Sequence, residues 1–323
     1  MIDIRNVDCF DGLKQMEDCS VNCCVTSPPY YGLRDYGVDG QIGMETTPDE
    51  YVAKMVEIFS EVRRVLNDDG TLWLNLGDSY ASRPRNRTLQ EAIAKTTLMG
   101  STLSQQASLK QINKITGDLK PKDLIGIPWM VAFALRADGW YLRQDIIWAK
   151  KNCMPESVTD RCTKSHEYIF MLSKSARYYY DQEAIMEPAL YDVDGTGTAA
   201  RKARVSGNKI QPTEKVNGIR ADRWDKMKKE GQCIGMRNRR DVWFISPAQF
   251  PEAHFATFPE EIPAICIKAG CPVDGVVLDP FSGAGTTGLV ARKLNRKFIG
   301  FELNPEYVKM SERRIKNELG MFI

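Results

Sequence analysis

The sequence predicts an α/β fold built on a mixed, mostly parallel sheet, and three observations carry that reading. Apolar runs of strand type alternate with stretches of helical periodicity along most of the 323 residues. Two of those runs feed loops of unusual composition. Val21 to Val25 leads into Thr26-Ser27-Pro28-Pro29-Tyr30-Tyr31, and Val276 to Leu278 leads into Asp279-Pro280-Phe281-Ser282-Gly283-Ala284-Gly285-Thr286-Thr287, about 250 residues later. Open α/β sheets place their chemistry beyond the carboxyl ends of strands, which is where both loops fall.

The elements follow in order. Ile2 to Val7 reads as an edge strand and Gly12 to Glu17 as a short helix, before the strand Val21 to Val25. Thr47 to Leu66 reads as an amphipathic helix, because Tyr51, Met55, Ile58, Phe59, Val62 and Val65 recur at helical spacing behind Pro48, Asp49 and Glu50. Asn67 to Gly70 reads as a turn into the strand Thr71 to Leu76, which ends at Gly77-Asp78. Residues 81 to 120 are too polar to order themselves strongly and read as a mobile loop or lid. A helix over Ile127 to Ala137 stops at Asp138-Gly139; strands follow at Trp140 to Trp148 and Glu167 to Leu172, the latter running on toward Tyr178 to Tyr180. Strand Val242 to Ile245, helix Glu260 to Ala269, strand Val276 to Leu278, helix Thr286 to Leu294 and strand Phe298 to Glu302 rebuild the alternation. The domain reading is therefore 1–180 as one half, 181–241 as an inserted module, and 242–323 as the second half of the same domain.

Bulk properties narrow the function. Hydrophobic content of 43% and charged content of 27% are ordinary for a globular protein, with no apolar run long enough to cross a membrane and no basic-apolar-small leader at the amino terminus. A cytoplasmic protein is expected. Nine cysteines at irregular spacing argue against a disulfide framework, and two histidines without a Cys-x-x-Cys pair argue against a metal site. Net charge is only +2, but residues 201–240 hold 13 Lys or Arg against 4 Asp or Glu, which leaves the remainder acidic. Such segregation suits either a basic clamp on nucleic acid or a solvated loop.

A glycine loop after a strand and before a helix lets a ligand approach the backbone and meet free N–H groups. Gly283-x-Gly285 alone is shared with dehydrogenases and many nucleotide-binding proteins. Glu302 sharpens the reading, because it ends the next strand about 20 residues on, where a carboxylate can accept from both hydroxyls of a ribose. The Ser-Pro-Pro-Tyr loop suits a planar amine, whose lone pair is delocalised. Acceptors fixed in advance, such as the Pro28 carbonyl and Ser27 Oγ, favour a pyramidal nitrogen. Proline restricts the backbone around those acceptors, and Tyr30 offers a flat face to an extruded base.

With both loops in place, the chain resembles the S-adenosylmethionine-dependent DNA amino-methyltransferases, which modify cytosine N4 or adenine N6. The likeness covers residues 1 to about 180 and about 242 to the end. Its catalytic motif stands first, the permuted beta-group order, and it implies a Rossmann-like methyltransferase fold. The resemblance implies that Ser27, Pro28, Pro29 and Tyr30 are catalytic. It implies that Asp279, Phe281, Gly283, Gly285, Thr286, Thr287 and Glu302 serve S-adenosylmethionine, Asp279 by either ordering the loop or meeting the cofactor's amino acid portion, with Thr257 and Phe258 on the cofactor's other side. Asp8 and Tyr31 are candidates for the base, and Arg237, Arg239 and Arg240 for DNA. Arg83, Arg85 and Arg87 are either a clasp on DNA or solvated charge. Asp78 is either a brace behind the catalytic loop or a turn residue, and His254 reads as structural, with an acid or base role as the alternative.

Double-stranded DNA is the implied partner; a companion restriction endonuclease and a homodimer are compatible with the resemblance, and no residue pattern marks either. Cytosine C5 chemistry is excluded, since it uses a cysteine after proline and only Cys271-Pro272, in the reverse order, occurs. Ser at the first motif position favours cytosine N4, with adenine N6 as the alternative. Methylation of an RNA or protein amide, and a DNA-binding relic without catalysis, are the remaining readings.

Overall fold

The computed structural model describes residues 1–33, 38, 40–82, 114–153, 155–188, 215–216, 219–220, 236–247 and 258–320. It divides the chain into two compact units, residues 1–180 with 241–323, and residues 181–240.

The larger unit is one eight-stranded sheet. Its strands are β1 (Ile2–Asn6), β2 (Val21–Thr26), β3 (Leu66–Leu76), β4 (Tyr141–Lys150), β5 (His166–Ser173), β6 (Val242–Ile245), β7 (Val276–Asp279) and β8 (Lys297–Glu302). They run in the order β1-β8-β7-β2-β3-β5-β4-β6. Every neighbouring pair is parallel except the two made by β5, which is antiparallel to β3 and to β4. β7 and β2 are adjacent, with Leu278 opposite Cys24. From that pair the chain proceeds to β8 on one side and to β3 on the other, so the crevice at their carboxyl ends is a topological switch point. Both loops singled out above open into it.

The helices are α1 (Cys9–Lys14), α2 (Pro48–Val65), α3 (Ile127–Ala137), α4 (Glu261–Gly270), α5 (Thr286–Lys293) and α6 (Pro305–Leu319). α2 starts where the sequence dictates: Thr47 Oγ1 accepts from the Glu50 amide, the Glu50 carboxylate accepts from the Thr47 amide, and Pro48 fills the first turn. Its apolar stripe, Tyr51 through Val65, is fully buried against the sheet.

Three local expectations are corrected. α1 begins at Cys9, three residues early, because the Asp8 carboxylate accepts from the Phe10 and Asp11 amides and caps the helix there. β3 begins at Leu66 directly after α2, with the irregular pairing between Val21 and Cys23 absorbing Asn67 to Gly70. β5 ends at Ser173, so Tyr178 to Tyr180 are not strand. Of the polar stretch 81–120, residues 83–113 lie outside the described residues; Ala81 and Ser82 are tied to Lys122, Asp123 and Lys114 by backbone hydrogen bonds.

In the smaller unit, a two-residue antiparallel ladder joins Glu187–Pro188 to Met236–Arg237, and a second joins Lys215–Val216 to Ile219–Arg220. The Arg237 guanidinium pairs with Glu187 at 2.8 Å, and Arg239 Nε donates to the Ile185 carbonyl at 3.0 Å.

Gly270, at the end of α4, touches the sheet where a Cβ would stand 2.4 Å from Thr71 Oγ1 and 2.6 Å from Trp73 Nε1. Those two atoms bond each other at 3.1 Å in the core. Gly270→Ala is expected to lower unfolding free energy by about 2–4 kcal/mol, as overpacking combined with a broken buried hydrogen bond does. Urea melts of the two proteins check it.

Candidate functional site

The centre of the site is Asp279, the last residue of β7 and 2% exposed. Its Oδ1 accepts from Thr26 Oγ1 at 2.6 Å and from the Phe281 amide at 3.0 Å, and its Oδ2 accepts from Thr287 Oγ1 at 2.7 Å. Thr26 ends β2 and immediately precedes Ser27. One carboxylate thus joins the serine loop to the glycine loop. Burial pushes its pKa up to about 6, and the two hydroxyls and the amide offset part of that rise.

The glycine loop is held open for a ligand. Gly283 lies at φ +50 with nothing nearer to a notional Cβ than the Phe281 carbonyl at 3.9 Å. Gly285, at φ +75, caps α5, and a Cβ there would meet Ser311 Cβ at 2.7 Å. Glu302 ends β8 and accepts from the Gly283 amide at 2.9 Å through Oε2 and from the Asn304 amide at 2.8 Å through Oε1. Burial lifts its pKa above the ordinary carboxylate value, against those two N–H bonds. Each oxygen keeps a lone pair for a ligand hydroxyl.

Asp8, Cys9, Ser27, Pro29, Phe281, Gly283, Glu302, Leu303, Asn304, Tyr307 and Met310 line one cavity. Its empty volume is about 980 Å³ with its open mouth included, and its walls are mostly apolar. Carboxylate, uncrowded glycine backbone and apolar walls together fit a ligand with vicinal hydroxyls and a flat ring.

On the serine-loop side, Tyr51 Oη donates to the Pro29 carbonyl at 2.9 Å and fixes the loop's bend. Among the described residues nothing donates to the Pro28 carbonyl. Tyr30 seats its ring against Gly77, where a Cβ would lie 2.5 Å from Tyr30 Cε2. The Tyr30 hydroxyl donates to Glu167 Oε2 at 2.7 Å, and Asn75 Nδ2 donates to the same oxygen at 3.2 Å. Lys150 is ion-paired with the other oxygen of Glu167. Burial and the neighbouring Glu167 charge raise the Tyr30 pKa well above its usual value, so the phenol stays protonated. Tyr30 does not line the cavity, whereas its motif neighbours Ser27 and Pro29 do.

Several of the candidate residues have protein partners of their own. Thr286 and Thr287 are interior braces: Thr287 is fully buried on Asp279, and Thr286 Oγ1 accepts from Arg314 at 2.9 Å. Asp279 itself has both oxygens occupied by protein donors and acts as the loop tie. Tyr31 is core at 1% exposure, packed 5.7 Å from Tyr51, and offers no surface to a substrate. Asp8 lines the cavity while capping α1. Asp78 caps α3, accepting from Gly126 and Ile127 amides. Phe258 is half-buried and does not line the cavity; Thr257, His254 and Arg83, Arg85 and Arg87 lie outside the described residues.

The sequence reading missed the start of α6, although Asn304-Pro305 is a helix-start signal that would have brought Tyr307 and Met310 over the cavity. It also missed Glu167, Lys150 and Asn75, which meet only through the register of β3, β5 and β4.

Comparison with known proteins agrees with this geometry. The family pattern described as DNA methylase, of the N6/N4 type, matches residues 21–313. The type II methyltransferase M.Cfr9I of Citrobacter freundii is 44% identical over 312 residues, covering 96% of this chain and 86% of its own length. M.SmaI of Serratia marcescens, also a type II methyltransferase, is 44% identical over 308 residues, covering 95% and 88%. Among solved structures, the PvuII DNA methyltransferase (cytosine-N4-specific) superposes with a TM-score of 0.60 at 18% identity, covering 98% of this chain and 90% of its own. The DNA modification methylase TTHA0409 of Thermus thermophilus, complexed with S-adenosyl-L-methionine, gives a TM-score of 0.58 at 20% identity, covering 100% and 96%. These two share the fold.

Because the folded pKa of Asp279 sits near 6 rather than 3.8, the proton favours the native state. This contribution is complete below the unfolded value and is lost as pH rises through the folded one. Asp279→Asn keeps an acceptor for Thr26 and the Phe281 amide and turns a donor toward Thr287. Its stability relative to the parent is expected to improve by roughly 2 kcal/mol between pH 4 and pH 8. Denaturant melts at the two pH values read it, and a pH-independent difference would contradict a buried carboxylate whose three donors offset only part of the cost of its charge.

Proposed function

This chain belongs to the N6/N4 DNA methylase family, and we propose from that premise that it transfers a methyl group to the N4 amine of a cytosine extruded from double-stranded DNA. The observation that carries this reading is the Asp279 tie, which brings Ser27 and Pro29 into one cavity with Phe281, Gly283 and Glu302. S-adenosylmethionine, when bound, supplies an electrophilic methyl group. Glu302 would hold its ribose hydroxyls, the Gly283 backbone its methionine portion, and Phe281, Leu303 and Met310 its adenine.

The chain's own groups then act on the base. Ser27 Oγ and the Pro28 carbonyl accept from the two N–H groups of the amine, which localises its lone pair. The Tyr30 ring takes the base in a stack, offsetting the few kcal/mol that extrusion costs. The apolar lining excludes water from that contact. Serine at the head of the motif favours cytosine N4 over adenine N6.

Residues 181–241 serve as the target-recognition module. Arg237 and Arg239 brace that module internally through Glu187 and Ile185, so phosphate contact falls mainly to the lysines and arginines from Arg201 to Lys229. The relatives are type II methyltransferases, which supports a role in restriction-modification and, with it, a cytoplasmic location for this chain. No helix among the described residues is long and apolar enough to cross a membrane.

Nucleoside mass spectrometry of DNA methylated by the protein should yield N4-methylcytosine; N6-methyladenine would move the reading to the other amine. Tyr30→Ala should lower kcat about 100-fold while changing the Kd for S-adenosylmethionine less than about threefold. Loss of cofactor binding with turnover spared would reverse the two halves of the site. Replacing Lys226, Lys228 and Lys229 with glutamine should flatten the log–log salt dependence of DNA binding by about 2 to 3, near 0.9 for each lost phosphate contact; an unchanged slope would remove this segment from the DNA interface.

A further inference from the structure

A serine hydroxyl is ambiguous where an amine is to be recognised. It accepts with its lone pairs but also carries one donor proton that rotates freely. Pointed at an incoming N–H, that proton would oppose the amine rather than help it. Something must commit it elsewhere.

The structure offers a committed chain. Ser27 Oγ lies 3.3 Å from Tyr30 Oη, and Tyr30 Oη lies 2.7 Å from Glu167 Oε2. The carboxylate can only accept, so the tyrosine proton points to Glu167 and the tyrosine oxygen is left to accept from Ser27. Asn75 offers Tyr30 a second, weaker acceptor at 3.3 Å, while its Nδ2 donates to Glu167 and to the Tyr168 carbonyl at 3.0 Å. Lys150 pairs with the far oxygen of Glu167 and holds the carboxylate in place. Each member faces its neighbour in one sense only: Ser27 donates to Tyr30, and Tyr30 donates to Glu167.

We propose that Glu167 is a positioning residue which, through the Tyr30 hydroxyl, fixes the polarity of Ser27 so that its lone pairs face the target amine. The inference rests on the reading of Ser27 as an amine acceptor. It also gives the phenol oxygen of Tyr30 a duty separate from stacking, which the ring alone performs. The tyrosine is then not interchangeable with phenylalanine in this chain.

The test is a double-mutant cycle on kcat with steady-state DNA and S-adenosylmethionine, accompanied by thermal melts and equilibrium cofactor binding. Ser27→Ala should lower kcat about tenfold or more. Tyr30→Phe, which keeps the ring, should lower kcat by about fivefold to tenfold with the KM for DNA and the Kd for S-adenosylmethionine within about twofold. In the Ser27→Ala background, Tyr30→Phe should bring no further loss, since no hydroxyl remains to orient. Glu167→Leu should couple to Ser27→Ala in the same way. Losses that multiply independently, or a Tyr30→Phe variant with the parent's kcat, would overturn the inference. A Ser27→Ala variant with undiminished kcat would instead overturn the amine-acceptor reading beneath it.

Discussion

Asp279 is the constraint on which the site depends. Two loops about 250 residues apart must meet within the reach of a methyl transfer, and α/β topology brings their strands together only as neighbours in a sheet. Neighbouring strands leave the loops beyond them free to diverge. The Asp279 carboxylate removes that freedom by taking one hydroxyl from each side, Thr26 from the serine-loop strand and Thr287 from the first turn of α5. Burying a charge without a cation beside it is unfavourable, which is why burial lifts the group to about 6. The third donor, the Phe281 amide, turns the same carboxylate into the template for the glycine loop's first bend.

The fold was largely legible because its strands are short apolar runs and its helices carry clear periodicity. α2 could be read almost residue by residue from Thr47, Pro48, Glu50 and its apolar stripe. α1 was misplaced because Asp8 was weighed for chemistry rather than as a cap, and a carboxylate before an apolar residue signals both. The site was legible as motifs but not as roles. Thr286 and Thr287 sit in a ligand-binding motif, yet the helix turns both hydroxyls inward to Arg314 and Asp279, and one-dimensional spacing does not say which way a hydroxyl faces. Tyr31 follows Tyr30 directly, but the chain turns at Tyr31, so one ring lies against Gly77 and the other enters the core.

The order of motifs along the chain has no consequence for the geometry. β7 lies between β8 and β2 whichever half is synthesised first, and the switch point forms wherever the chain leaves that pair in opposite directions. The permutation does place residues 181–240 between β5 and β6. The basic excess lies in residues 201–240 of that unit, while residues 181–200 carry five acids and no Lys or Arg. The body that holds the ligand cavity can then keep apolar walls without competing phosphate-binding charge.

A motif that begins with serine asks more of its surroundings than one that begins with a carboxylate. A carboxylate accepts in every orientation; a hydroxyl accepts usefully only when its proton is held away. The antiparallel strand β5 supplies the reference for that proton. Its reversed direction puts its amino end beside the carboxyl ends of β3 and β4, so Glu167 faces Asn75 and Lys150 at the level of the serine loop. A parallel strand in the same place would present its carboxyl end and the loop beyond it there instead. The departure from parallel order in this sheet therefore coincides with the point where a half-buried carboxylate reaches Tyr30.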